Sequence, residues 1–176
     1  MSIDQTASHV MPEKVAAAVL HLAEQMWAAL SDPSHAAAQA EEQVAELNRQ
    51  VGQEVLAAGL HSRYGRSQGP RRSCACGASQ QLEGYRTRAL MTVIGTVHYR
   101  RAYYRCRDCG AVHYTGEDEL GVAGGVFTLP AQEAISLVSS EVPFERARVL
   151  LQRLSGVRCC VSQAERLTQA HGQHLE

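Results

Sequence analysis

Four of the six cysteines in this 176-residue chain stand in two close pairs, Cys74-Ala-Cys76-Gly77 and Cys106-Arg-Asp-Cys109-Gly110. Thiolates so paired are a donor set for a borderline-soft cation, and Zn²⁺ is the common ion that takes four of them in a closed tetrahedron. Four protein ligands leave no coordination position open, so the expected role of Cys74, Cys76, Cys106 and Cys109 is to hold a structural zinc. The 29 residues between the pairs exceed the usual knuckle spacing but suffice for two strands and a turn. Glycine directly after each pair suits a sharp turn, because it lacks a Cβ and its N–H can point at a thiolate. The first pair is C-x-C, tighter than a standard knuckle, and the alternative is a set of reduced, buried small side chains. A dithiol redox role for Cys106 and Cys109 is a further reading, although the βαβ context of thioredoxin-like proteins is missing. Cys159 and Cys160 are most simply buried or interfacial.

The second chemistry is electrostatic. A net charge of −1 conceals a segregation along the chain: residues 1–60 set two basic residues against eight acids (−6), residues 61–109 set ten arginines against two acids (+8), and residues 110–176 set five arginines against eight acids (−3). The basic segment is also the cysteine segment. Within it, Tyr85–Ile94 and Thr96–Arg105 read as strands with Gly95 at the turn. On the second strand Val97, Tyr99, Arg101 and Tyr103 share one face, and His98, Arg100, Ala102 and Tyr104 the other. Arginine interleaved with tyrosine suits nucleic acid, with guanidinium on phosphate and tyrosine against sugar or base. The alternative is tyrosines over a small core beneath solvated arginines. Candidate nucleic-acid residues here are Arg71, Arg72, Arg86, Arg88, Arg100, Arg101, Tyr103, Arg105 and Arg107.

No G-x-S-x-G, H-E-x-x-H or phosphate loop occurs, and the eight histidines are dispersed. His113 could replace a cysteine ligand, but exposure is the expected placement. Glu117-Asp118-Glu119 reads as a solvated loop rather than a Mg²⁺ site. No catalytic residue is assigned, and the chain as given is expected not to be an enzyme.

Positioning these groups falls to a mainly α chain with a small β zinc ribbon. Residues 1–60 form a helical hairpin: Val15, Val19, Leu22, Met26 and Leu30 stripe a first helix. Asp32-Pro33 starts a second helix, running to about Leu60 with a stripe of Ala40, Val44, Leu47, Val51, Val55 and Ala58. Two such helices bury little alone, so homo-oligomerisation through them is expected. Residues 61–116 form the arginine-rich ribbon, entered through an exposed linker at 61–70, with a third, edge strand at Ala111–Tyr114. Residues 117–176 form a three-helix, helix-turn-helix-like bundle, its last helix opened by a capping box from Ser162 to Glu165 and His171 facing inward. There Gln163, Arg166 and Gln169 would face the major groove, with Arg153 and Arg158 near phosphates; the alternative is a generic three-helix bundle, which the segment's charge of −3 and its long turn suit. The N-terminus lacks basic and apolar signal-peptide regions and no apolar run approaches a membrane span, so a cytoplasmic, nucleoid-associated setting is expected.

The run from Gly95 through Arg101-Ala-Tyr103-Tyr104-Arg-Cys106-x-x-Cys109-Gly110, preceded by Cys74-x-Cys76-Gly77 and followed by Leu120-Gly121, resembles the N-terminal region of insertion-sequence transposases of the ISKra group. The helical hairpin before it and the segment from Phe144 to Glu165 fit as well. The family pattern has an aspartate where Glu117 stands. The resemblance implies zinc on the four cysteines, recognition of double-stranded transposon ends, and a catalytic RNase H-like domain that would begin about where this chain stops. A zinc-stabilised regulatory or protein-interaction module, or an RNA binder, is the competing class.

Overall fold

The computed structural model describes residues 10–122 and 125–172, the last two by their backbone alone. In order the elements are α1 (Glu13–Ser31), α2 (Ala37–Tyr64), β1 (Arg71–Ser73), β2 (Ser79–Thr92), β3 (Gly95–Cys106), β4 (Val112–Tyr114), α3 (Leu129–Glu141), α4 (Phe144–Ser155) and α5 (Val161–Gly172). This is the expected mainly helical class, with two N-terminal helices packed together, a central antiparallel sheet and three C-terminal helices. The chain divides into two compact units, Met1–Ala58 and Gly59–Glu176. No helix among the described residues is long and apolar enough to cross a membrane.

In the first unit the expected stripes rotate slightly. Spacings of four drift around a helix of 3.6 residues per turn, so Ala29 is buried where Leu30 was expected, and Leu30 points to solvent. On α2, Ala40 and Leu47 are buried, whereas Val55 is exposed. Asp32 does not cap α2. Its carboxylate accepts bonds from the Ser34 N–H (2.8 Å) and Ser34 Oγ (2.6 Å), a local turn that holds the chain off the helix until Ala37.

The second unit is built on a long hairpin. The sheet order is β1-β2-β3-β4, all antiparallel, and the added strand β1 pairs Ser73 with Ser79 at the cysteine end. Val93 and Ile94 form the turn, Thr92 Oγ1 donates to Gly95 O at 2.8 Å, and Gly95 takes a φ of 103° that favours glycine. A register shift between Leu82 and Gly84 leaves one residue of β2 over, a bulge that re-aims the side chains beyond it.

The expected linker at 61–70 is exposed over most of its length, with one correction at its start. Helix α2 continues to Tyr64, whose buried ring meets Tyr99 edge-on at 6.3 Å and whose hydroxyl donates to Glu119 at 3.0 Å. An aromatic residue after an apolar helix was the cue, and burial of its ring outweighs the Arg/Ser/Gly-rich composition around it.

The C-terminal helices close over Phe127, Ala131, Ile135, Leu151, Val157, Cys159 and Ala164, with Met91 of β2 packed against them. Met91 N–H donates to Val126 O at 2.7 Å, and Thr128 N–H to Met91 O at 3.0 Å, so β2 is hydrogen-bonded to the segment that leads into α3. The expected capping box stands two residues earlier in the structure: Gln163 Oε1 accepts the Cys160 N–H at 2.9 Å, and Val161 opens α5. The inward placing of His171 lies outside the described side chains.

Candidate metal centre and the basic surface around it

The antiparallel register brings both cysteine pairs to one end of the sheet. Cys74 follows β1, Cys106 ends β3, and Gln80 on the intervening strand lies opposite Cys106. Each pair is folded by its own backbone bonds. Cys74 N–H donates to Ala78 O (2.8 Å) and Gly77 N–H to Cys74 O (3.0 Å); in the second loop Cys106 N–H donates to Ala111 O (2.8 Å) and Gly110 N–H to Cys106 O (3.1 Å). Gly77 and Gly110 have φ of 87° and 74°, the left-handed turn that returns each chain to the sheet. Buried Gln80 donates to Ala111 O at 3.4 Å and ties the loops together.

The four sulfurs lie within 4.8 Å of one another, with Cys74 to Cys109 at 3.5 Å and Cys76 to Cys106 at 3.7 Å. A tetrahedron with metal–sulfur bonds of 2.3 Å has edges of about 3.8 Å, so the donors already stand at cage spacing. Cys74 and Cys106 are buried, and Cys76 and Cys109 form the outer rim. Backbone N–H groups point at the sulfurs from Ala78, Asp108, Cys109 and Ala111. The Ala78 N–H draws the Cys76 thiol down, but the three sulfurs around it prevail and push it up to about 12. Cys106 is drawn down to about 7, by the Cys109 N–H first and by Asp108 with it, against burial. Four converging thiols cannot all ionise without a cation among them. The donor set therefore fits a four-thiolate metal site, and His113 is no part of it. That ring lies half-buried, 6.4 Å from the Tyr104 ring, with its pKa lowered by burial and then by Arg72.

The ten arginines divide by face. Arg88 and Arg101, expected to face nucleic acid, turn inward: both pair with Glu117, and Arg88 also donates to Val122 O at 2.8 Å. Arg101 lies 3.7 Å from the Tyr114 ring centre and is buried. Glu117 is thus no solvated loop residue, whereas Asp118 and Glu119 are exposed as expected, Glu119 meeting the Arg63 guanidinium at 2.8 Å in solvent. Tyr103 is also buried, as the core-covering alternative supposed. Its ring lies under Arg86 (5.4 Å) and Arg105 (5.8 Å), and its hydroxyl accepts from Arg105 Nε at 2.8 Å. Arg72 is half-buried over Tyr104.

What remains in solvent near the metal end is Arg71, Arg86, Arg105 and Arg107, with Arg100 over the Tyr85 ring at 4.1 Å. Pairing Arg71 with Gln81 and Gln81 with Arg105 puts Arg71 and Arg105 in one cross-strand row. In the C-terminal helices Arg158 and Arg166 are exposed, while Gln163 is held by its capping bond.

Sequence reasoning missed Tyr64, Thr115 and Glu117. Thr115 Oγ1 accepts the Ala102 N–H at 3.0 Å and donates to Tyr64 O at 2.7 Å, replacing a strand bond at the sheet edge. The signal for Glu117 was available: Arg88 and Arg101 share a face with Leu90 and Val97, and a guanidinium on an apolar face requires an acid. No protein-family model and no curated protein matches this chain.

Proposed function

We propose that the chain is the DNA-binding region of a transposase resembling the ISKra group, its fold held by zinc on Cys74, Cys76, Cys106 and Cys109. The observation that carries the reading is the row of exposed guanidiniums beside the cysteine centre. Arg86 and Arg105 are fixed by the Tyr103 ring and hydroxyl, and Arg71 stands two strands away from Arg105. Preorganised cations spread across a sheet suit the spaced charges of a phosphate backbone. Arg158, Arg166 and Gln169 on and before α5 extend the surface for a helix-turn-helix-like contact, without Gln163. Strand cleavage would belong to an RNase H-like domain, and this chain supplies recognition of transposon ends. Zinc, when bound, supplies charge compensation for the thiolates and a fixed vertex between the two loops, which sets the spacing of Arg71 and Arg105.

Salt titration of duplex DNA binding by fluorescence anisotropy tests this. Wild type loses about 10³-fold in affinity between 50 and 200 mM salt if ~6 phosphates are neutralised. Arg86→Ala with Arg105→Ala lowers the log–log slope by about 2, whereas an unchanged slope removes the patch from the interface.

A further inference from the structure

Helix α1 carries two apolar stripes, and the described fold covers one. Val15, Val19, Leu22, Met26 and Ala29 are partly or fully buried in the hairpin, and Ala18 and Leu22 line a groove with Gln50 and Gln53 of α2. The other stripe is open: Leu20 is 62%, Trp27 73% and Leu30 60% exposed. Their spacings of seven and three put them on one side of the helix, with the small Ala23 between them and Ala16 one turn before Leu20. The exposed Glu24, four residues after Leu20 and three before Trp27, borders the row.

We infer that this stripe is the contact between two copies of the chain, laid antiparallel so that Leu20 of each meets Trp27 of the other. Two features argue for a second copy, the small core and the self-complementary row, and the exposed area sets the size of the contact. Among the described residues of the first unit only Ala29, Ala40 and Leu47 are fully buried apolar residues, too small a core for an isolated two-helix unit. The three open side chains leave on the order of 400 Å² of apolar surface per chain, within the range of the largest patch on a lone protein and about half of one partner's share of a standard interface, so the contact is a small one. The row is also self-complementary, since antiparallel pairing sets the large Leu30 against the small residues near Ala16. Glu24 stands beside the contact in each copy and, with the first unit's net charge of −6, opposes self-association, so the dimer should tighten as added salt screens these charges. This inference stands apart from the nucleic-acid reading and fails separately from it.

Trp27 is the only tryptophan in the chain, so its emission reports the contact directly. Sedimentation equilibrium of the full wild-type chain is expected to show a dimer at micromolar concentration. Tryptophan emission should be blue-shifted and move to the red on dilution. Leu20→Glu with Leu30→Glu, which keeps the reporter, should raise the dimer dissociation constant by ~100-fold or more and give red emission at every concentration. Helical content by circular dichroism and metal stoichiometry check that this variant folds, and milder Leu20→Ala should weaken the dimer in the same direction. A folded wild-type monomer overturns the inference, whatever its DNA binding. A dimer whose Trp27 emission stays at the water-exposed value overturns it too, because the contact then lies elsewhere.

Discussion

At the residue scale, Arg101 and Cys106 show how one strand divides its chemistry. Arg101 is an internal cation held by Glu117 and Tyr114, and Cys106 is a thiol drawn down to about 7 by backbone N–H groups. Removing the acid should therefore cost stability: Glu117→Gln leaves two largely buried guanidiniums facing a neutral amide. Chemical denaturation is expected to show a loss of about 3 kcal/mol. Arg101→Ala is expected to act the same way while leaving the salt slope of DNA binding unchanged. At the cysteines, Cys74→Ser or Cys106→Ser should abolish stoichiometric zinc by elemental analysis. Binding by thiols such as Cys76, pushed up to about 12, must release protons, so zinc affinity falls as pH falls, measurable by competition with a chromophoric chelator. His113 adds to acid sensitivity with a definite sign. Burial holds its folded-state pKa below the ordinary histidine value of about 6.5, so the unfolded chain binds the proton first, and stability drops as pH falls through that value. His113→Phe should lose less stability than wild type between pH 7 and pH 5.5 at saturating metal.

At the element scale, the sheet is held at its free edge by α2 and the loop after β4. Gly116 has a φ of +83°, and a Cβ there would stand 2.5 Å from the Tyr64 ring. Gly116→Ala combines a left-handed backbone with a clash against a buried ring, and is expected to cost about 2 kcal/mol or more by thermal or denaturant unfolding. The strands themselves were legible in residues: Val97 and Tyr99 alternate with His98 and Arg100, and burial follows that alternation. Past Arg100 the period of two fails, because Ala102 and Tyr104 are covered on the second face as well. Residues 68 and 69 reach the Tyr104 hydroxyl, which accepts the Gln68 N–H at 2.9 Å and donates to Gly69 O at 3.0 Å. Nothing within the strand signals that a distant turn will close over it.

For the molecule as a whole, the metal end and the exposed arginines belong to one unit, Gly59–Glu176, and that unit's few large apolar residues are shared between the sheet and α3–α5. If zinc sets the spacing of the two cysteine loops, chelation should remove DNA binding along with the fold of the sheet. Readdition of Zn²⁺ should restore both. Retained affinity after complete metal removal would separate the basic surface from the centre. The measurement pairs anisotropy with near-ultraviolet circular dichroism of the ribbon's tyrosines.

The sequence by itself determined the four sulfur donors, the segregation of charge along the chain, the hairpin, though its turn is formed by Val93 and Ile94 and not Gly95, and the helical character of both ends. These follow from residue types at short range, where glycine, cysteine spacing and a period of two or 3.6 act through local backbone geometry. Only the tertiary structure decided which arginines are surface and which are internal. Arg86 and Arg88 are two residues apart on the same face of β2. One remains in solvent beside Tyr103, while the other is claimed by Glu117, from 29 residues further along. Strand alternation assigns a side chain to a face, but which stretch of that face is covered depends on where distant segments pack, and desolvation then obliges the covered guanidinium to pair with an acid.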